Sequence, residues 1–380
     1  MSETQFIIDN KKLICTMDFH LKNEFTVKSV PRPYRVSWDE SANPFERINK
    51  IIAERPNNLL LIDKNVFELY KKELKCAADK MFVAEATEQF KTLDGVTAIL
   101  DFLHRNEFTK GETLVVVGGG IIQDIGAFVG ACYKRGIRWI HFPTTLLAMC
   151  DSCIGGKAGV NYRETKNQIA LFSAPHEVII NPFFLKSLPE AAIQSGLGEI
   201  LKLFLTAGGD FLKEFNRYVK NGKVTQFDAY KYLILGALTI KKAVVEEDEF
   251  ELNIRKSLNY GHTLGHVIES LSNYEIPHGL AVVLGMMLSN ELSVENNLLD
   301  KEQKNLINKL CRNLLTEKVM QILRAMKLDS LLERIRQDKK VESSHVNFVM
   351  LKEMGDIRFV KLALDKNLAD RIKAAVQTVF

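Results

Sequence analysis

Three of the eight histidines lie within seventeen residues of one another. Residues 260–269 read YGHTLGHVIE, so His262 and His266 stand four apart and share one helical face. His278 follows in Ile276-Pro277-His278-Gly279, on a loop able to fold back toward them. Imidazoles so grouped suit a divalent metal, although two histidines at this spacing are more often an ordinary polar helix face. The HExxH pattern of zinc peptidases is absent, because Thr263 follows His262. A carboxylate can complete the set, and Glu199 in Gly198-Glu199-Ile200-Leu201-Lys202 is the best candidate. Three protein ligands with an open position make a catalytic metal site rather than a structural one.

Cations gather around this group. Residues 151–167, DSCIGGKAGVNYRETKN, read as a long glycine-containing loop carrying Asp151, Lys157, Lys166 and Asn167. Lys202 falls three residues after Glu199, and Lys241, Arg255 and Asn259 extend the set. Arg255 and Asn259 are an i,i+4 pair whose face continues to His262. Each lysine alone is a solvated surface charge. Their convergence beside a metal implies a polyanionic substrate bearing carboxylate and phosphate. Cys150 and Cys153 form a single CxxC with no second pair, so they read as plain thiols.

A third chemical element is the turn Gly118-Gly119-Gly120, set between the buried run Thr113–Val117 and a helical stretch. Glycines there let backbone amides approach a pyrophosphate at a helix N-terminus. The GxGxxG dinucleotide fingerprint is absent. Thr144 and Thr145 end the next strand at the same edge, and Asp63 ends the first strand, where an acid can hold a ribose hydroxyl.

These residues need elements to position them. Asn58–Ile62, Thr113–Val117 and Trp139–Phe142 read as strands, and Leu93–Asn106 and 121–134 as helices. That alternation predicts βαβ units and a parallel sheet. From Pro189 to about Leu332 the periodicity is helical, and a strand-like run returns only at Val346–Met350. The expected architecture is a Rossmann-like α/β nucleotide-binding domain over 1–185, then an α-helical metal- and substrate-binding domain over 186–380, with the site in a cleft between them. The first ~35 residues, where Phe25–Val30 alternates before Pro31 and Pro33, read as an appended strand or arm. The 380 residues, 46% hydrophobic and 26% charged, exclude a disordered chain or a collagen-like fibre. A net charge of +4 is no nucleic-acid signature. No apolar run reaches the ~18 residues of a membrane span. Six scattered cysteines and a start without a leader pattern make the cytoplasm the expected location.

The ordered motifs resemble the 3-dehydroquinate synthases, within the sugar-phosphate cyclases. They are Gly118-Gly119-Gly120-x-x-x-Asp124, Arg135-Gly136, Pro143-Thr144-Thr145-Leu146-Leu147-Ala148, Asp151-Ser152, Gly155-Gly156-Lys157-x-Gly159-Val160-Asn161, Lys166-Asn167, Glu199-x-x-Lys202, Asp248-Glu249, Arg255-x-x-Leu258-Asn259-x-Gly261-His262-Thr263-x-Gly265-His266 and His278-Gly279. The resemblance spans roughly residues 58–360. It implies an NAD-binding half, a helical metal-binding half and a homodimer. Its metal is zinc, with cobalt an alternative, held at the positions of Glu199, His262 and His278. His266 then matches an active-site histidine near the metal, although spacing alone pairs it with His262. NAD contacts map to Asp63, Asn65, Glu88, Lys91, Gly118, Gly119, Gly120, Asp124, Thr144, Thr145 and Leu147, with Lys157 and Lys166 alongside. Substrate contacts map to Asp151, Lys157, Lys166, Asn167, Lys202, Lys241, Arg255, Asn259, His266 and one of Lys339 and Lys340. Arg135 matches a residue that the neighbouring subunit contributes to the phosphate pocket.

The implied reaction converts 3-deoxy-D-arabino-heptulosonate 7-phosphate to 3-dehydroquinate and phosphate, a lyase step of the shikimate route to aromatic amino acids. Transient oxidation by NAD acidifies a C–H, phosphate leaves, the hydride returns, and an intramolecular aldol closes the ring. The chain departs from the family at Ala170, where glycine is usual, at Leu280, where glutamate is usual, and at Asn181, where aspartate is common. Two other readings compete: a sister cyclase acting on another sugar phosphate such as sedoheptulose 7-phosphate, and an NAD- and metal-dependent polyol dehydrogenase. A neutral Asn259 favours a substrate carboxylate, since an acid 4 Å away would cost about 4 kcal/mol at an effective dielectric of 20.

Overall fold

The computed structural model describes residues 3–16, 22–163, 165–326, 341–342 and 344–379. The strands are β1 (Glu3–Ile8), β2 (Lys11–Thr16), β3 (Glu24–Val27), β4 (Tyr34–Trp38), β5 (Leu59–Asp63), β6 (Met81–Ala84), β7 (Thr113–Gly118), β8 (Arg138–Pro143), β9 (Lys157–Tyr162), β10 (Thr165–Phe172), β11 (Glu177–Ile180), β12 (Val219–Lys220), β13 (Lys223–Val224), β14 (Val341–Glu342), β15 (His345–Glu353) and β16 (Asp356–Ala363). The helices are α1 (Phe45–Ala53), α2 (Lys64–Tyr70), α3 (Leu93–Arg105), α4 (Gly120–Cys132), α5 (Glu190–Ala207), α6 (Gly209–Tyr218), α7 (Ala229–Glu247), α8 (His262–Leu271), α9 (His278–Glu295), α10 (Lys301–Arg312), α11 (Glu317–Ala325) and α12 (Lys366–Val379).

The chain divides into two compact units, Leu21–Pro189 and Met1–His20 with Glu190–Phe380. In the first, a seven-stranded sheet runs in the order β3-β4-β11-β8-β7-β5-β6. All its pairs are parallel except the β3–β4 hairpin at one edge. The centre is apolar on both faces: Leu59 to Ile62 and Leu114 to Val117 are fully buried. Continuous apolar runs of this kind belong to strands covered by helices on both sides. Gly126 and Gly130 let α4 lie close to the sheet, since a Cβ there would stand 2.7 Å from Val116 and Trp139 respectively.

The second unit corrects two expectations. It is not purely helical, because a five-stranded sheet β14-β15-β16-β1-β2 stands beside its helices. The N-terminal segment is also not an extension of the 1–185 domain as a whole. β1 alternates exposed and buried residues, pairs parallel with β16 and antiparallel with β2, and so joins the second unit through a long-range ladder. Residues 24–38 go instead to the first unit's sheet, with Pro31 and Pro33 in the connection between β3 and β4. Helix α9 is buried along nearly its whole length from Gly279 to Ser293, which marks it as the central helix of its unit. Among the described residues, no helix is long and apolar enough to cross a membrane. All six cysteines are free thiols.

The sheet of the first unit carries a pH-dependent element. His141 of β8 is fully buried, with Nε2 3.3 Å from Gly118 O and Nδ1 without a hydrogen bond. Burial pushes its pKa down to about 4 against the partial help of that carbonyl. A depressed folded-state value means that the folded chain refuses a proton the unfolded chain accepts. Stability from this group is therefore complete above about pH 6.5 and is lost as pH falls toward 4, by up to about 3 kcal/mol at 1.36 kcal/mol per pH unit. Replacing His141 by Phe is expected to flatten this acid limb in urea melts recorded between pH 7 and 4. An unchanged pH slope would show that His141 is protonated without penalty.

Candidate active site

The metal-type residues all belong to the second unit, on three helices that touch through glycine. Gly198 of α5 and Gly279 of α9 face each other: a Cβ on Gly198 would stand 2.4 Å from Gly279 O, and one on Gly279 only 1.8 Å from Ser195 O. Ser195 Oγ accepts a hydrogen bond from Gly279 N at 2.9 Å, so α5 caps the start of α9. On the other side Gly285 approaches Gly261 O at 1.9 Å, measured to its would-be Cβ. Gly261 adopts φ +79, a left-handed turn that launches α8 at His262. These contacts bring Glu199, His262 and His278 to one point.

At that point Glu199 is fully buried, and its Oε1 lies 3.6 Å from His262 Nε2 and 3.4 Å from His278 Nε2. The outer nitrogens are held elsewhere. His262 Nδ1 lies 3.3 Å from Tyr260 O, and His278 Nδ1 lies 3.0 Å from Glu269 Oε2. His266, one turn along α8, packs edge-to-face against His262 with ring centroids 5.2 Å apart. The three histidines also offer nitrogen atoms within 4.8 Å of one another. The expected loop position of His278 is corrected: it is the first residue of α9, fixed by Pro277 before it and by the Ser195 cap.

Two carboxylates, Glu199 and Glu269, share this cluster with Lys202 and His278. Lys202 Nζ, itself buried, stands 2.5 Å from Glu199 Oε2. Even so, neither Glu199 oxygen has a well-directed hydrogen bond. Burial works against a charged His278, but the Glu199 and Glu269 carboxylates outweigh it and hold its pKa up at about 10. Two imidazole nitrogens and a buried carboxylate oxygen lacking a directed donor are a donor set that fits zinc or cobalt.

Arg255 and Asn259 do not share a face as an α-helical pair. Residues Ile254–Asn259 form a 3-10 helix, in which a step of four residues turns well past one full turn. Asp248 sets this segment by accepting from the backbone N–H groups of Leu252, Asn253 and Arg255 at 2.8 to 3.0 Å. Arg255 is buried and donates to Glu249 O. Asn259 Nδ2 donates to Glu251 Oε1 at 2.8 Å. A carboxylate therefore already stands beside Asn259, and neutrality at 259 alone does not select a carboxylate-bearing substrate. Lys241 of α7 is likewise buried in this unit. Lys339 and Lys340 lie outside the described residues.

In the first unit the expected loop at 151–167 is a short π-helix, Ala148–Ser152, a turn through Gly155 (φ +93) and Gly156 (φ +64), and the antiparallel hairpin β9–β10. The hairpin forms because Ala158 and Val160 point into the α/β core. Lys157 opens β9, and Lys166 and Asn167 sit at a register shift in β10, with Asn167 at φ +51. Asp151 lies in the π-helix, which Gln123 ties to α4 through Ser152 at 2.6 and 2.7 Å.

A polar network joins the residues expected at the nucleotide. Lys91 Nζ meets Asp124 Oδ2 at 2.5 Å and Asn167 Oδ1 at 2.7 Å. Glu88 receives Lys166 at 2.8 Å and Asn161 Nδ2 at 2.7 Å. Burial raises Asp124 to about 6 despite Lys91. Burial also pushes Glu88 up, but hydrogen bonds from Asn161 and Lys166 outweigh it and leave its pKa below the ordinary value. In the glycine turn, Gly118 and Gly119 are required by packing, since a Cβ would stand 2.6 Å from Ile122 and 2.8 Å from Thr145. Gly120 has only Ser152 Oγ within reach, at 3.8 Å, so the α4 N-terminus is open there. Thr144, beside this turn, is buried with its N–H on Gly118 O, and Leu147 precedes the π-helix. Asp63 is mostly buried and caps α2 by accepting from Asn65 N at 2.8 Å, a structural role in its own right. Arg135 is exposed in a turn where Lys134, Arg135 and Gly136 all have positive φ.

Glu269, Glu251 and Asn161 were missed as functional candidates. Glu269 was legible: it lies three residues past His266 and seven past His262, on their helical face. Glu251 and Asn161 reach their partners through turns and a hairpin, which periodicity does not report. Of the departures, Asn181 is explained, since its Nδ2 donates to Asp39 Oδ2 at 3.1 Å and an aspartate there would oppose a like charge. Leu280 is simply buried in α9. Nothing in the structure explains Ala170.

Known proteins agree with this architecture. Residues 81–195 match the model for the 3-dehydroquinate synthase N-terminal region, and residues 196–341 match that for the C-terminal region. The 3-dehydroquinate synthase of Streptococcus equi subsp. equi (strain 4047) is 32% identical over 355 residues, covering 92% of this chain and 97% of the relative. That of Streptococcus pyogenes serotype M49 (strain NZ131) is 35% identical over 334 residues, covering 83% and 88%. Two solved structures share the fold. One is a 2-deoxy-scyllo-inosose synthase complexed with carbaglucose-6-phosphate, NAD+ and Co2+, with TM-score 0.78, 20% identity and coverage of 93% and 99%. The other is the 2-epi-5-epi-valiolone synthase of Streptomyces hygroscopicus subsp. jinggangensis 5008 with NAD+ and Zn2+ bound, with TM-score 0.72, 24% identity and coverage of 93% and 98%. Two consecutive family models spanning residues 81–341, and relatives above 30% identity over most of both chains, place this chain in the 3-dehydroquinate synthase family.

Proposed function

We propose that the chain is a 3-dehydroquinate synthase, converting 3-deoxy-D-arabino-heptulosonate 7-phosphate to 3-dehydroquinate and phosphate. The observation that carries this reading, in a chain of this family, is the approach of Glu199 Oε1 to the Nε2 atoms of both His262 and His278. Those three residues would hold a divalent zinc or cobalt ion. The Nδ1 atoms of both histidines are occupied by Tyr260 O and Glu269, which turns both Nε2 atoms toward the carboxylate. That favours Glu199 over His266 as the third ligand. When bound, the metal supplies Lewis-acid polarisation of a substrate hydroxyl, and NAD supplies a reversible hydride acceptor.

The chain's own residues do the rest. Backbone amides at Gly118–Gly120 receive the cofactor pyrophosphate, and the network of Glu88, Lys91 and Asp124 fixes the surrounding polar wall. Lys157, Lys166, Asn167, Lys202, Lys241 and Arg255 are assigned to the substrate anions. Asp151, Asn259 and His266 are assigned to the reacting carbons, with His266 moving protons. The reaction belongs to the shikimate route, and the cytoplasm is the compartment that fits six free thiols.

With catalytic NAD and the seven-carbon acid phosphate, inorganic phosphate is expected to appear without accumulation of NADH. Sedoheptulose 7-phosphate, which lacks the carboxylate, is expected to release essentially none. Phosphate from that sugar and none from the acid would make the chain a sister cyclase. Net NADH would make it a polyol dehydrogenase.

The proposed assembly is a homodimer in which Arg135 serves the neighbouring site. Its support is the family resemblance and the exposure of Arg135 in a left-handed turn. Mixed dimers of inactive Arg135→Ala and Lys157→Ala chains are expected to regain activity at one intact site. Verified heterodimers with no activity would return Arg135 to its own subunit or exclude it.

A further inference from the structure

We propose that Glu269 is a positioning residue of the metal centre, holding the His278 ring so that Nε2 faces Glu199 and a divalent cation is bound more tightly. The inference rests on the ligand reading above. Glu269 sits on α8, and its Oε2 reaches across to His278 Nδ1 on α9 at 3.0 Å. Its own side chain is only 14% exposed, so the carboxylate is held within the packed helices.

The need for such a residue is local to His278. Its side chain is 34% exposed, against 12% for His262. An imidazole one-third exposed can flip, and a flip puts Cε1 where Nε2 stood and Cδ2 where Nδ1 stood, which removes the metal donor. His262 is already confined by burial, and its Nδ1 faces a neutral carbonyl, Tyr260 O. The looser ring is the one that faces a carboxylate. A carboxylate on Nδ1–H fixes the tautomer with the lone pair on Nε2 and makes that nitrogen a stronger donor. Pro277 and the Ser195 cap fix the backbone of His278, but neither touches its ring in this way.

Loss of such an outer partner typically weakens metal affinity 10–100-fold. The test is competition of Zn2+ against a chromophoric chelator in the full-length protein, with the absorption spectrum of the Co2+-loaded protein as a second readout. Glu269→Ala is expected to raise the Zn2+ dissociation constant by about 10–100-fold and to shift the Co2+ bands. Glu269→Gln, which keeps an acceptor and loses the charge, is expected to fall between Ala and wild type. Glu275→Gln, an exposed acid nearby, serves as the charge control and should leave affinity unchanged. Wild-type affinity in Glu269→Ala overturns the proposal. If that variant fails to fold, wild-type affinity in Glu269→Gln overturns it instead. Glu199→Ala separates the two readings: metal retained there removes the ligand assignment itself. Metal lost there but undiminished in the Glu269 variants removes only the positioning role.

Discussion

Glu199→Ala, His262→Ala and His278→Ala are each expected to purify without stoichiometric metal and to lose turnover about a thousandfold or more. Polarisation by a bound cation is worth several kcal/mol, and each ~1.4 kcal/mol is a decade in rate. The geometry makes the three equivalent in this respect, because Glu199 Oε1 stands 3.4 and 3.6 Å from the two Nε2 atoms. Removing any one leaves two donors of three. His266→Ala is the informative contrast. It is expected to keep metal and lose rate, since the proposed ligand set is Glu199, His262 and His278. Metal analysis of the four purified variants decides the matter. Metal lost from His266→Ala and kept in Glu199→Ala would assign the ion to the three-histidine cluster instead.

The second large effect is expected from a single methyl group. Gly279→Ala would place its Cβ 1.8 Å from Ser195 O, a backbone atom that no rotamer change can move. Helices α5 and α9 would have to separate, which breaks the 2.9 Å cap from Ser195 Oγ and carries His278 away from Glu199. Overpacking of a tight contact costs about 1–3 kcal/mol and more where backbone must shift. At the upper end the melting temperature falls by roughly 6–12 °C for a unit of this size, and metal content should fall with it. Gly111→Ala is the control, because its nearest neighbour is the flexible end of Arg55 at 3.4 Å. Wild-type melting and full metal in Gly279→Ala would mean that the two helices part freely and that the glycine contact does not set the centre.

Much of the first unit could be read directly from the chain. Asn58–Ile62 and Thr113–Val117 are short apolar runs closed by turn residues, and such runs are buried strands wherever they fall. They fold as β5 and β7 within a residue of the expected ends. The identity of the metal-type residues was legible for a similar reason: few side chains bind cations, and His262, His266, His278 and Glu199 are too closely grouped to overlook. Local chemistry also pointed to the glycine turn and to the cationic stretch after Asp151.

Tertiary structure decided what local pattern cannot encode. Spacing pairs His262 with His266, but the partner that faces Glu199 alongside His262 is His278, because α9 docks on α5 and α8 through glycines that admit backbone to backbone. The N-terminal strands carry no local sign of their destination; β1 pairs with β16, more than three hundred residues away, and with β2 beside it. Asn259 looked neutral and available in sequence, and the fold sets Glu251 against it. Periodicity is a property of one element and its own faces. Which faces meet depends on docking across long chain separations, and at this centre that docking determines which nitrogen, of which histidine, stands beside the carboxylate.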